Sequence, residues 1–486
     1  MDLSLAAIAS LEARGISREA LYAQLDQFEQ GTQYARIVAP AQIGDGIQKF
    51  SSSKAQRLVD LFESTGPGMA PEKFVPASGA ATRMFQFMHR FVQDGTWTPE
   101  MEQLALRWRE LPFSKEWAKG SPARQLQKQD WRSFALYLLE ADGLNYGYLP
   151  KALIPFHGPN TRPRTPIMEQ IAETGAYALD ETNTGRLHFT ISPEHLTAFQ
   201  NHIQSMGQRP FHLNWSYSFQ QASTDTVAVD THNHVVIDSN GGLVFRPGGH
   251  GSLIHNLNQL KQPLIFIKNI DNVGPPSALP LIAYHKKVLA GYALELHEGI
   301  TNCLRDAPWD NPQKLRDTSQ WIHDHLGLKI PKSLEHDAER LERWLRRPLR
   351  VCGMVRNEGQ PGGGPFWVQG DDGCESLQIV EMSQINLKDP EMAGIISQAT
   401  HFNPVDIVCM THGPDGQPYN LIDFTDPNAY FISEKSIQGK PIKALEWPGL
   451  WNGGMANWNT AFIEVPLDVF RPVKTILDLL HPNHLT

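Results

Sequence analysis

The chain has 486 residues, of which 41% are apolar and 20% charged, with 43 basic against 52 acidic side chains and a net charge of −9. That length has room for about three domains at roughly 150 residues each, and the apolar content excludes a disordered chain. The acidic balance disfavours a general nucleic-acid binder, leaving room only for a local basic pocket. Cys303, Cys352, Cys374 and Cys409 are far apart, with no C-x-x-C pair, and read as buried thiols of a reducing compartment. Neither a basic leader with an apolar core nor a run of about 20 apolar residues is present, so the expectation is a cytoplasmic protein without a membrane partner.

In chain order, residues 1–65 read as a helical segment, with Leu3, Leu5, Ile8 and Leu11 near period 3.6 and Ser17 capping a second helix through Phe28. Lys73-Phe-Val-Pro-Ala-Ser-Gly79 and Met84-Phe-Gln-Phe-Met-His-Arg-Phe91 give a strand, a turn of small residues and a helix. Residues 97–146 read as helical, carrying Trp108, Trp117 and Trp131. Short β-like runs follow at 152–155, 187–191, 227–229, 243–245 and 264–267, with helices at 166–177, 193–205 and 251–260 between them. That alternation predicts an α/β fold with a mixed, mostly parallel, Rossmann-like sheet flanked by helices. The expected organisation is a helical segment at 1–65, an α/β core at 66–280, a helical insertion at 281–350, and strands and helices at 351–486 that complete the core.

Four stretches carry candidate chemistry. Ala77-Ser-Gly-Ala-Ala-Thr-Arg83 lies at a strand-to-helix junction, where small residues let backbone approach an anion and Arg83 adds a bidentate fork. A tightly packed turn with a surface arginine would give the same string. Lys151, between Pro150 and Pro155, sits on a stiff loop before an apolar run. In Pro247-Gly-Gly-His-Gly251, three glycines around His250 suggest a loop that admits a base or phosphate, because glycine inside an element is destabilising. Asn269-Ile-Asp-Asn272 follows a buried strand, at the edge where open α/β sheets bind ligands, so Asp271 is the candidate ligand for Mg²⁺. Lys474 in Pro472-Val-Lys-Thr is a fifth candidate, weaker alone. Asp230-Thr-His-Asn-His234 puts His232 and His234 on one strand face, as in an H-x-H metal site, without a supporting acidic or cysteine motif.

Together and in this order, these motifs resemble the nucleotide-diphospho-sugar transferase (GT-A-like) superfamily of sugar-1-phosphate nucleotidyltransferases. Gly79, Thr82, Arg83 and Met84 match its A-A-G-x-G-T-R-M loop, with Ala81 in place of a glycine. Lys151 matches its P-K-x-L-x-P lysine. The uridylyltransferase branch is closer still: Pro247–Gly251 is similar to its P-P-G-H-G loop, Asn269–Asn272 to its N-S-D-N, and Pro472–Leu480 to its P-V-K-x-x-x-D-L-L, with Ser252 where that branch has an acid. Glu381-Met-Ser-Gln384 resembles one of its strands weakly. Phe219-Gln220, Thr224–Thr226 and the span 66–273 are similar to a bacterial family of unknown function related to these enzymes.

The resemblance implies transfer of a nucleotidyl group, UTP favoured, to a sugar-1-phosphate with release of pyrophosphate, so the implied partners are a nucleoside triphosphate and a sugar phosphate. In that scheme Arg83, Lys151 and Lys474 act on phosphate; Ala77, Ser78, Gly79, Ala80, Ala81, Thr82, Gln220, Gly249, His250 and Gly251 hold the nucleotide; and Asp271 binds Mg²⁺. Asp423 and Asp426 are candidates for a second metal-binding acid. Competing expectations are a non-catalytic nucleotide-sugar binding protein, a glycosyltransferase of the same fold class, and a metal-dependent hydrolase built on Asp230, His232 and His234.

Overall fold

The structure is a computed structural model that describes residues 3–79, 81–114, 130–158, 163–305, 309, 311–359, 362–437 and 439–485. The fold is mixed α/β. Internal contacts divide the chain into two units. One comprises Val59–Ser218, Ile265–Val288 and Val465–Thr486, the other Met1–Leu58, Phe219–Leu264 and Leu289–Glu464.

In the first of these units, four parallel strands run side by side in the order Leu264–Lys268, Glu72–Pro76, Thr184–Thr190, His212–Ser218. Leu264–Lys268 is buried throughout, as a parallel strand covered on both faces must be. Helices Gln86–Asp94, Pro99–Arg107, Trp131–Leu139, Pro166–Tyr177 and Leu196–Gln204 belong to the same unit. The sequence explains their limits. Gln86–Asp94 turns Met88 and Phe91 inward and stops at Gly95, whose φ of 78° places it in the left-handed region that favours glycine. Pro166 occupies the first position of its helix, where a missing N–H costs nothing. Met84, Phe85 and Met88 join Phe134, Ile154, Val473, Ile476 and Leu479 in one apolar core.

The other unit contains three strand groups. Gln42–Ile43, Gly46–Gln48, Asn459–Glu464 and Leu349–Arg356 are parallel neighbours, with Asp406–Met410 antiparallel to Leu349–Arg356. Ile37–Pro40, Gly364–Gln369, Glu375–Val380 and Leu328–Lys329 form an antiparallel sheet. Phe431–Ile437, Lys440–Glu446, Thr226–Val229 and Phe245–Arg246 form another.

Several local expectations are corrected. The segment expected to be helical to residue 65 also holds strands at Ile37–Pro40, Gln42–Ile43 and Gly46–Gln48. Ile37–Pro40 pairs with Gly364–Gln369 and Gly46–Gln48 with Asn459–Glu464, far along the chain, and Gln42–Ile43 is only two residues long, so local periodicity carries no trace of them. Residues 152–155 do not form a strand: Lys151–Leu153 is a turn of 3₁₀ helix started by Pro150. Asp230–His234 is a turn, its shape set by Asp230 Oδ1 accepting from His232 N at 2.8 Å and His234 N at 2.9 Å. This is an Asx turn on the surface rather than an H-x-H strand. Of the 97–146 stretch, Pro99–Arg107 and Trp131–Leu139 are helical, and Trp117 lies outside the described residues. The expected helix-rich stretch at 281–348 is present as Leu279–Arg305, Pro312–His325 and Ala338–Leu345. Among the described residues, no helix is long and apolar enough to cross a membrane.

Candidate functional site

The Glu72–Pro76 strand ends in the small-residue turn. Ser78, Gly79, Thr82 and Arg83 are exposed and Ala77 is buried; Ala80 lies outside the described residues. Ala81 is fully buried in the core with Met84 and Phe85. Its methyl group therefore packs inward, and its N–H is spent on Leu149 O at 3.2 Å. Alanine in place of glycine thus leaves the exposed part of the turn open. A side chain at Gly79 would meet nothing within 4 Å.

The adjacent Leu264–Lys268 strand delivers Asp271. Its carboxylate Oδ2 accepts from Lys151 Nζ at 2.8 Å and Lys474 Nζ at 3.5 Å. Lys151 Nζ donates also to Val473 O at 2.8 Å. The backbone fixes all three side chains. Lys151 N reaches Gly79 O at 3.4 Å, Val473 N donates to Asp271 O at 3.0 Å, and Ile476 N to Met84 O at 3.1 Å. Arg471 N donates to Asn272 Oδ1 at 3.0 Å, and Asp478 Oδ2 accepts from Lys474 N and Thr475 N, both at 2.7 Å. Residues from three distant parts of the chain thus converge on one carboxylate. Burial raises the Asp271 carboxyl, but the Lys474 and Lys151 ammonium groups outweigh that and hold it below the ordinary carboxylate range.

Beneath these loops lies a buried polar layer that the sequence did not single out. Glu173 Oε1 accepts from Lys268 Nζ at 2.7 Å and its Oε2 from Lys73 Nζ at 3.1 Å. Gln170 Nε2 donates to Asn269 O at 3.0 Å, while its own Oε1 accepts from Lys73 Nζ at 2.8 Å. One helix, Pro166–Tyr177, thereby ties down the two strands that carry the small-residue turn and Asp271. Burial, against the pull of Glu173, lowers Lys73 to about 8. Burial would raise Glu173, yet Lys268 and Lys73 bring it down to about 2.

The residues expected near a base belong to the other unit and form their own cluster. His250 Nδ1 accepts from Leu450 N at 3.1 Å, so the ring proton sits on Nε2, which faces Glu381 Oε1 at 3.3 Å. The ring stacks on Trp451 with centroids 4.4 Å apart. Burial raises Glu381, but the His250 contact and Asn452 bring it below its usual value. The glycines here have packing reasons, contrary to the sequence expectation. A Cβ on Gly248 would meet Trp447 Cδ1 at 2.2 Å, and one on Gly251 would meet Pro448 O at 2.1 Å. Gly249 has a φ of +79°. Beside this turn, Thr224, Gly251, Ser252, His255, Trp447 and Pro448 line a cavity of about 230 Å³. Gln220 Nε2 is a buried donor with no partner among the described residues. Glu381, Trp447 and Trp451 were not picked out as site residues. The weak signal at Glu381–Gln384 could have found the first, but no local pattern links it to His250.

Among the described residues, no group of three His, Cys, Asp or Glu side chains could hold a metal ion. Asp271 fits Mg²⁺ only as a single carboxylate shared with substrate phosphates and water, the usual way this ion is held at phosphate sites. Asp423 accepts from Asn420 Nδ2 at 2.9 Å and Asp426 from Asn428 N at 2.9 Å, local bonds within the other unit. His234 is mostly exposed and 3.3 Å from Asp230, with no third ligand.

A family profile described as Domain of unknown function (DUF4301) matches residues 5–485. No curated protein sequence matches. Similar solved structures include a UDP-N-acetylglucosamine pyrophosphorylase of Trypanosoma brucei in complex with an inhibitor, 13% identical, covering 98% of this chain and 79% of that one at a TM-score of 0.48. A UDP-glucose pyrophosphorylase mutant of Leishmania major is 12% identical, covering 99% and 79% at a TM-score of 0.46.

Proposed function

We propose that this chain, which belongs to the family described as Domain of unknown function (DUF4301), is a sugar-1-phosphate nucleotidyltransferase, with UTP as the favoured nucleotide. The observation that carries the reading is the convergence of Lys151 and Lys474 on Asp271 beside an exposed small-residue turn. Two ammonium groups against one carboxylate leave net positive charge, which suits a polyphosphate and does not suit a neutral ligand. An oxygen of the sugar-1-phosphate attacks the α-phosphorus, and the bond to pyrophosphate breaks. Such chemistry is mostly positioning and charge neutralisation.

In this reading, phosphate oxygens draw the two lysines off Asp271, and Arg83 with the Ser78–Gly79 backbone holds the outer phosphates. Asp271 is then the protein ligand for Mg²⁺ arriving with the nucleotide, and the ion supplies further charge neutralisation. Gln220, with its unpartnered amide, and the Gly249-His250-Gly251 turn are assigned to the base. The test is pyrophosphate release with Mg²⁺, each NTP and a panel of sugar-1-phosphates. Release with one pair, at least a hundredfold lower in Asp271→Asn, is the expected result. No release with any pair, and no thermal stabilisation by any NTP, would overturn the reading.

A further inference from the structure

A second cavity, of about 600 Å³, lies wholly within the unit that carries His250. Its wall is unusual in chemistry. Eight of its lining residues are carboxamides, among them Gln33, Gln378, Gln384, Asn428 and Asn452. Its charged groups are Arg36, Asp371 and Asp426, and the first two pair with each other at 3.1 Å, so it offers no free cation to an anion.

The inner amides are held rigidly. Gln378 Nε2 donates to Ala456 O at 2.8 Å and to Ser376 Oγ at 2.9 Å, while its Oε1 accepts from the buried Arg350 at 3.2 Å. Gln384 Oε1 accepts from Glu381 N at 3.1 Å and from Asn452 Nδ2 at 3.2 Å. Asn452 is 2% exposed, yet its Oδ1 receives no hydrogen bond among the described residues. That oxygen is walled in by protein rather than open to the cavity, so Asn452 serves to hold Gln384 in place behind the wall. At the mouth, Gln33 and Asn428 are exposed and Tyr34 stands 51% exposed, a flat face beside adaptable amides.

We infer that this cleft is a carbohydrate-binding site for a neutral, unphosphorylated sugar or short oligosaccharide. Each sugar hydroxyl both donates and accepts, matching the exposed carboxamides Gln33 and Asn428, and sugar C–H faces stack on the exposed Tyr34. The near absence of unpaired charge separates this site from the phosphate-handling one. The inference stands on the cavity alone and survives or fails independently of nucleotidyl transfer.

The test is saturation-transfer NMR and calorimetry on the full chain with glucose, N-acetylglucosamine, maltotriose and cellotriose, beside glucose-1-phosphate. Saturable binding of a neutral saccharide, insensitive to salt, and weakened at least fivefold in Tyr34→Ala and in Gln33→Leu, is the expected result. Asn428→Leu, at the same mouth, should weaken it to a similar extent, and all three positions are exposed, so the variants keep the fold. Absence of binding by every neutral saccharide up to 50 mM, or binding unchanged in all three variants, would overturn the assignment. So would binding removed by Asp271→Asn and untouched by the cleft variants, because the sugar would then occupy the lysine–aspartate site.

Discussion

Asp271 holds two ammonium groups with one carboxylate, and the two lysines differ in exposure. Lys151 is 11% exposed at its side chain and Lys474 is 56%. Lys474→Ala should therefore leave stability within about 0.5 kcal/mol, since exposed ion pairs contribute little, while weakening nucleotide binding at least tenfold. Asp271→Asn leaves Lys151 half-enclosed without its counter-charge and should cost about 1–3 kcal/mol. Urea denaturation of both variants checks the pair; equal losses would contradict the assigned difference in burial. Gly251→Ala is a third case at this scale, since its new methyl must push against Pro448 O from 2.1 Å. It should destabilise by about 1–3 kcal/mol, and a melting point equal to that of the parent chain would count against the described turn.

Among the elements, the helix Pro166–Tyr177 ties down the two strands that lead to the small-residue turn and to Asp271. Its Glu173 pairs with Lys73 and Lys268, all three buried, and Tyr177 donates to the same carboxylate at 2.9 Å. Glu173→Gln leaves two buried ammonium groups without a carboxylate and should cost about 3–5 kcal/mol. Chemical denaturation measures it, and a loss below about 1 kcal/mol would show that water reaches the pair. None of this was legible beforehand. Glu173 reads in the sequence as an ordinary helix acid, because only the strand register places Lys73 and Lys268 against it. The helix itself was legible, since its apolar spacing and opening proline are local signals.

For the whole molecule, three buried histidines lower stability as pH falls, and Glu72, raised to about 7 by burial, offsets one of them with the opposite sign. Burial lowers His188 to about 4 and His285 to about 4; burial and then the neighbouring His157 and Arg471 lower His484 to about 3. His188 also donates to or accepts from Ser216 Oγ and Ser218 Oγ, at 2.7 and 2.8 Å. A histidine depressed in the folded state binds its proton mainly in the unfolded one. The stability each such histidine contributes is full above about pH 6.5 and falls as pH drops toward 4. The expected loss is on the order of 3 kcal/mol per such group at most, visible as a falling urea midpoint between pH 6.5 and 4. A midpoint flat across that window would contradict it. The α/β alternation and the order of the motifs were readable because each motif is a short local string. The packing demand on the glycines of 248–251 was not legible, since the partners that impose it, Trp447 and Pro448, are distant in sequence. The pairing of His250 with Glu381 was hidden for the same reason.

The central claim is that Lys151, Asp271 and Lys474 form a polyphosphate-handling centre, and titration calorimetry with UTP and Mg²⁺ tests it most directly. The account predicts saturable binding by the parent chain, weakened at least tenfold in Lys474→Ala with the urea midpoint unchanged. Equal affinity in the parent and in Lys474→Ala would contradict it.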